Sequence, residues 1–302
     1  RVRAIIAHSP PTYANLALRG DKALLFNSAH DTFLMYGRNG SSWIAMGEPV
    51  GADTGARELM WQFRDLCDRF DGWCVFFEVS EKWRAEYAEL GLALTPLGEE
   101  ARVLLADFAL DTPAHKGLRH TRAALQHRGC RFEILSPEAV PAALPALARI
   151  SNAWLAGKAT REKGFSNASF HARYLEHFPV AIVRRDDEVI AFANLWLGAG
   201  KEELSIDLMR HLPSAPHGTM DFLFCELMLW GRAQGFKWFN LGMAPLSGLD
   251  SQQQHLIWRH IGTLLYRHGE HFYHFKGLRH YKAKFHPVWR PLYLASPGGV
   301  AL

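Results

Sequence analysis

The chain has 302 residues, 48% hydrophobic and 21% charged, and its 34 Lys and Arg against 30 Asp and Glu give a formal net charge of +4. That balance is globular and excludes a disordered tail or a collagen-like repeat. At roughly 100 to 200 residues per domain, the length points to two domains.

No run of 18 apolar residues occurs, since even the greasiest stretch, 222–230, contains Glu226, so no segment reads as a membrane-spanning helix. No signal-peptide pattern is present. Four cysteines without a CxxC pair argue against a disulfide framework or structural zinc and fit a reducing cytosolic compartment. The chain opens on Arg1 and reads as a piece of a longer protein. Its charge is unevenly spread. Residues 1–112 carry 11 basic against 16 acidic side chains, 113–131 carry five basic and no acidic ones, and the remainder 18 against 14. An acidic start, a basic hinge and a basic end result.

In chain order, the apolar runs 32–36 and 43–46, joined by a turn-rich 37–41, predict a hairpin. A helix follows over 56–70, with Leu59, Phe63, Leu66 and Phe70 at helical spacing, then a buried strand over 73–79. A short helix over 82–90 stops at Gly91, and a strand is predicted over 103–108. The second half repeats that order without repeating the letters. A helix over 144–155 leads to a hairpin of 180–184 and 189–197, a strand over 204–208, a long helix N-capped by Thr219 and ending at Gly235, a strand over 238–241, a further helical region and a last strand over 291–294. The reading is two tandem copies of one α/β unit, with an N-terminal domain over 1–112, a basic linker helix over 113–131 and a C-terminal catalytic domain over 132–302; one large sheet is the alternative, since a duplicated order of elements says less than a duplicated sequence.

In the linker, Leu118 and Leu125 anchor one narrow apolar stripe, while Lys116, Arg119 and Arg122 recur every three residues on a neighbouring face. A solvated helix is the plain reading. Five cations uncompensated within the segment favour a polyanion instead, either tRNA phosphates or anionic lipid headgroups, where each cation contributes about 1 kcal/mol near a charged membrane.

The strings GxxxxGK[ST], GxGxxG and GxSxG are absent, which disfavours ATP, NAD and serine-hydrolase chemistry. His268, His271 and His274 have HxxHxxH spacing, but on a helix they drift around the axis and on a strand they alternate faces, so neither a metal nor a cofactor is expected. The duplicated unit suggests an acyltransferase of the GNAT type, in which a helix N-terminus holds pyrophosphate. The corresponding place is Pro216-His217-Gly218-Thr219; it lacks [RQ]xxGx[GA], so an activated acyl donor other than acetyl-CoA is expected.

Three segments go beyond generic pattern: Ser-Ile-Asp-Leu-Met-Arg-His at 205–211 with Gly-Thr-Met-Asp-Phe-Leu at 218–223; Phe-Asn-Leu-Gly-Met-Ala-Pro-Leu-Ser-Gly-Leu at 239–249; and Phe-Lys-Gly-Leu-Arg-His-Tyr-Lys-Ala-Lys-Phe-His-Pro-Val-Trp-Arg-Pro at 275–291. With 43–51 and 161–166, they closely resemble the cytosolic C-terminal domain of the aminoacyl-phosphatidylglycerol synthases, the multiple peptide resistance factor family. The resemblance implies two fused GNAT-like folds that move an aminoacyl group, alanyl slightly favoured over lysyl, from charged tRNA to a phosphatidylglycerol hydroxyl. It also implies a membrane-spanning flippase region in the full-length protein, a place at the cytoplasmic face of the bacterial inner membrane, and resistance to cationic antimicrobial peptides.

Within that frame Asp207 is expected to hold the donor's ammonium group or orient the lipid hydroxyl, and Arg210 to bind phosphate or the developing oxyanion; a structural ion pair is the alternative. Glu270, the only acid between Arg267 and Arg290, either binds the aminoacyl ammonium or offsets local repulsion. Lys282, Lys284 and Arg290 are candidates for lipid or tRNA phosphate, with Tyr281 offered for base stacking. The resemblance adds Arg161 and Glu162. The rival readings are a transferase acting from aminoacyl-tRNA on a peptidoglycan precursor and a non-catalytic adaptor joining RNA to the membrane.

Overall fold

The computed structural model describes residues 1–157, 169–249 and 275–298. In chain order the elements are α1 (Val2–Ile6), β1 (Ala23–Phe26), β2 (Thr32–Asn39), β3 (Ser42–Met46), β4 (Val50–Gly51), α2 (Asp53–Arg69), β5 (Trp73–Val79), α3 (Arg84–Glu89), β6 (Leu92–Leu104), α4 (Lys116–His127), β7 (Cys130–Leu135), α5 (Val140–Ala156), α6 (Ala172–Leu175), β8 (Val180–Arg185), β9 (Glu188–Leu197), β10 (Glu203–His211), α7 (Thr219–Ala233), β11 (Trp238–Pro245), α8 (Phe275–Ala283) and β12 (Val288–Pro297).

The chain forms two compact units, one of Arg1–Arg102 with Leu241–Leu302 and the other of Val103–Asn240. These bounds differ from a linear division at 112 and 131. The basic helix α4 belongs wholly to the second unit, and the C-terminal stretch returns to the first.

In the first unit, β1, β2 and β3 run antiparallel, α2 crosses over, and β5 pairs parallel to β3 from Ser42↔Trp73 to Met46↔Phe77. Leu59, Met60, Phe63 and Cys67 put one face of α2 into a core with Leu34 and Phe76, as period-3.6 spacing requires. Phe70 departs from the expected stripe: it is 60% exposed and stacks on Trp43 with centroids 5.4 Å apart. As C-cap of α2 it has already left the helical rotation. The last strand, β12, lies between β5 and β6 and is antiparallel to both.

The strand expected over 103–108 is displaced. β6 occupies Leu92–Leu104, held along its length by β12, and Leu105–Asp107 turns into a 3-10 helix. A short apolar run does not distinguish a strand from a buried turn; here the Leu105 N–H bonds the Lys237 carbonyl at 2.9 Å. The strands β1 and β7 were not predicted.

In the second unit, β7, β8, β9 and β10 form consecutive antiparallel pairs, and β10 pairs parallel to β11 over Glu203–Ser205 against Trp238–Asn240. The crossover is α7, whose buried face includes Phe222, Leu223, Leu227 and Met228. Its cap differs from expectation. Gly218, at φ +86°, is the N-cap, and the Thr219 hydroxyl donates back to the Pro216 carbonyl at 2.6 Å instead of accepting a helix N–H. A Cβ on Gly218 would lie 2.5 Å from Thr121 Cγ2 of α4, so glycine serves both the left-handed backbone and the close approach.

Gly98 on β6 has an analogous steric role. A Cβ there would lie 2.4 Å from the Ala244 carbonyl oxygen of β11. Gly98→Ala is expected to lower unfolding free energy by roughly 1–3 kcal/mol through overpacking. Urea denaturation checks this, and an unchanged midpoint would show that the two strands part easily.

Candidate active site

The ladder between β9 and β10 slips once. Ile206 pairs with Leu195 and Met209 with Ala193, so Asp207 and Leu208 together face the single residue Asn194. This is a β-bulge, which bends a strand and re-aims its side chains. Residues three apart on a regular strand point to opposite faces; across the slip, Asp207 and Arg210 share the face of Phe192, Asn194 and Trp196.

Helices α5 and α6 supply the partners on that face. The Tyr174 hydroxyl donates to Asp207 Oδ2 at 2.8 Å, and the Trp196 indole N–H donates to the Tyr174 oxygen at 3.1 Å. Arg210 is 4% exposed; its guanidinium donates to Ser151 Oγ at 3.1 Å and lies 4.6 Å from the centroid of the Trp154 ring. The structure thus brings the two principal sequence candidates to one face, with Asp207 half-buried and Arg210 buried. Arg210 is therefore a fixed cation inside the unit, not an exposed phosphate ligand. Tyr174, Trp196, Ser151 and Trp154 were missed by sequence reasoning, because nothing in their local spacing links them to 205–211.

Lys282 belongs to a separate cluster in the first unit. It is buried, and its ammonium donates to the carbonyls of Gly242 at 3.0 Å and Met243 at 2.8 Å. Burial pulls its pKa down to about 8, against the carboxylates of Glu78 and Glu100. Glu78 is half-buried as a residue, yet its carboxyl is desolvated enough to be pushed up to about 7. It sits at a second bulge, on β5 opposite β12, with φ +61°, a conformation that non-glycine residues adopt at a cost. The exposed phosphate role expected for Lys282 does not fit this burial. Lys284 is exposed, with its ammonium 4.7 Å from the Tyr281 ring centroid, and Phe285 meets that ring edge-on at 5.9 Å. The stacking surface expected of Tyr281 is thus partly covered. Arg290 is exposed on β12, opposite Glu100 in the ladder.

The basic helix is less free than its sequence suggests. Arg122 pairs with Glu226 of α7, Nε to Oε1 at 2.7 Å and the second nitrogen to Oε2 at 3.3 Å. Arg119 donates to the carbonyls of Leu110 and Thr112. The compensating acid lies 104 positions away in sequence, beyond any local charge count. Lys116, Arg128 and Arg131 are exposed. Glu270, Arg161, Glu162 and the three histidines of the HxxHxxH string lie outside the described residues. Among the described residues, no group of three or more His, Cys, Asp or Glu is arranged to hold a metal ion, and no helix is long and apolar enough to cross a membrane.

Two α/β units, each with an antiparallel sheet and a helical crossover to a parallel strand, have the element order of GNAT-like acyltransferase folds. The family model described as "Phosphatidylglycerol lysyltransferase, C-terminal" matches residues 3–296, and the chain belongs to that family. It is 31% identical over 296 residues to the phosphatidylglycerol lysyltransferase of Staphylococcus haemolyticus, covering 97% of this chain and 35% of that protein. It is 30% identical over 282 residues to the Staphylococcus aureus (strain MRSA252) protein of the same name, covering 93% and 33%. The chain thus spans about a third of the length of these relatives. The solved L-PGS of Bacillus licheniformis superposes with a TM-score of 0.85 at 28% identity, covering 99% of this chain and 92% of that one. The C-terminal DUF2156 domain of an Agrobacterium fabrum protein named for lysylphosphatidylglycerol synthetase gives 0.89 at 39%, covering 99% and 91%. FemX shares the fold alone, at 0.61 and 9%, covering 97% and 94%.

Two predictions follow from the charges. Between about pH 4.5 and 7 folded Glu78 keeps a proton that the unfolded chain releases, so its contribution to stability is full below 4.5 and is lost as pH rises through 7. Between about 8 and 10.5 the unfolded chain keeps a proton that folded Lys282 has released, so that contribution rises with pH. Denaturation across pH is expected to show the acid-side fall in the parent and not in Glu78→Gln; identical slopes would contradict the assignment. Separately, Arg122→Ala is expected to cost roughly 1.5–3 kcal/mol, as for a hydrogen bond to a charged group, measured by the same denaturation.

Proposed function

We propose that this chain is the aminoacyl-transferring part of a phosphatidylglycerol aminoacyltransferase and that its donor is charged tRNA. What carries the reading is the Asp207–Arg210 face in a chain matched over nearly its whole length by proteins named for lysyl transfer to phosphatidylglycerol.

Donor and product are both esters, so the exchange needs no ATP. The lipid hydroxyl oxygen attacks the ester carbonyl carbon and the carbonyl oxygen takes up negative charge. The bond to the tRNA ribose oxygen then breaks, and the proton from the lipid hydroxyl ends on that ribose oxygen. Juxtaposing two large substrates can lower the barrier by about 7 to 11 kcal/mol, and fixed charges stabilise the oxyanion. Asp207, held by Tyr174, takes the aminoacyl ammonium group or orients the attacking hydroxyl. Arg210, already desolvated against Trp154 and Ser151, acts as a preset positive charge near the oxyanion. Exposed Lys116, Arg128 and Arg131 meet RNA or lipid phosphate. Alanyl, slightly favoured in the sequence reading, finds no support among the relatives, which are named for lysyl. The flippase region and the inner-membrane location remain part of the proposal for the full-length protein.

Incubation with phosphatidylglycerol and separately charged alanyl- or lysyl-tRNA, followed by lipid chromatography, is expected to yield one aminoacyl lipid. Asp207→Asn is expected to lower turnover about 100-fold or more at an unchanged thermal midpoint. Normal lipid aminoacylation by that variant contradicts the role of Asp207, and no lipid product from the parent contradicts the acceptor. Each phosphate contact removed from Lys116, Arg128 or Arg131 is expected to flatten the slope of log affinity against log salt by about 0.7–0.9, whereas Arg122→Ala leaves the slope unchanged.

A further inference from the structure

The polar residue at the centre of the β9–β10 slip is Asn194, which is fully buried and which neither the sequence motifs nor the proposed chemistry uses. Its position in the ladder is specific. Two residues of β10, Asp207 and Leu208, face this one residue of β9. A bulge disrupts the backbone ladder locally and leaves a residue unpaired, and a buried N–H without an acceptor is destabilising because its lost hydration is not replaced.

Asn194 supplies that acceptor from its side chain: the Leu208 backbone N–H donates to Asn194 Oδ1 at 2.7 Å. Because a backbone N–H only donates, this contact also fixes which end of the amide is oxygen. The other end, Nδ2, is buried with no acceptor among the described residues. An apolar residue of similar size would leave no stray donor, so the amide is held here by its oxygen. That oxygen stabilises the register in which Asp207 reaches the Tyr174 hydroxyl and Arg210 reaches Ser151 and Trp154. Were the register of Ile206↔Leu195 continued without the slip, position 210 would fall opposite position 191 and its side chain would turn to the other face.

We propose that Asn194 is a positioning residue for the transfer reaction: by capping the Leu208 N–H across the bulge, its side-chain oxygen holds Asp207 and Arg210 on one face. It acts through those two residues and touches neither substrate. The inference rests on the proposed function for its catalytic consequence, while its structural part stands independently.

The test uses Asn194→Leu, which removes the acceptor at similar volume, and Asn194→Asp, which keeps an oxygen in place. Amide hydrogen exchange at Leu208 reads the cap. Exchange is expected to accelerate at least tenfold in Asn194→Leu and to stay near the parent rate in Asn194→Asp. Turnover with charged tRNA and phosphatidylglycerol reads the consequence. In Asn194→Leu, kcat is expected to fall about 100-fold with KM for the lipid within about threefold, and in Asn194→Asp to recover at least tenfold of that loss. Leu208 exchange unchanged in Asn194→Leu overturns the proposal, as does faster exchange with kcat kept within twofold of an active parent. If Asn194→Leu does not fold, Asn194→Ala takes its place, with the same two readings expected and the same results overturning it. An inactive parent contradicts the proposed function instead, and exchange at Leu208 then still decides whether Asn194 holds the register.

Discussion

A single extra residue in β10 relative to β9 governs the chemistry available to the second unit. A regular ladder would send Asp207 and Arg210 to opposite faces. The slip between Ile206 and Met209 gathers them, and every polar group so gathered then needs a partner away from water. The indole of Trp196, the hydroxyl of Tyr174 and the carboxylate of Asp207 form one hydrogen-bonded chain, while Arg210 is packed on Trp154 and bonded to Ser151. Such a face is preorganised, with its charges oriented before any substrate arrives. Electrostatic stabilisation of a transition state depends on that preorganisation.

The local course of the fold was legible wherever periodicity and turn chemistry agreed. The hairpin of β2 and β3, helix α2, strand β5, the hairpin of β8 and β9, and helix α7 all fall close to where their letters put them. The strand expected at 103–108 failed because an apolar run carries no record of which backbone groups receive its hydrogen bonds. The edge strand β1 was missed because Ala23–Phe26 is a four-residue apolar run without alternation, whereas Cys130–Leu135 does alternate apolar and polar residues and was passed over behind the basic helix. The repeated order of elements already suggested the fold class, whereas the family came from long motifs, which local physics alone would not have named.

The site was legible in part, for a different reason. Asp207 and Arg210 stand inside a recognisable string, but the residues that give them their character come from β9, α5 and α6, 14 to 59 positions away at the contacts described. Local counting also misled. A helix with five uncompensated cations in its neighbourhood read as an open basic surface, yet the Glu226 carboxylate of α7 had already claimed Arg122. Lys282 read as a surface lysine at the end of the chain and is instead enclosed with Glu78 and Glu100, where burial lowers its proton affinity. In each case the deciding partner is distant in sequence, and charge pattern along one segment cannot report it.

The claim at the centre of this account is that the aminoacyl group docks on the face shared by Asp207 and Arg210. Photocrosslinking tests this most directly, using a short RNA that carries, in amide linkage at its 3′ end, an amino acid with a photoreactive side chain. The account predicts crosslinks within residues 174–210, competed away by intact charged tRNA and lost in Asp207→Asn. Competable crosslinks confined to other parts of the chain, with this face unlabelled, would contradict it.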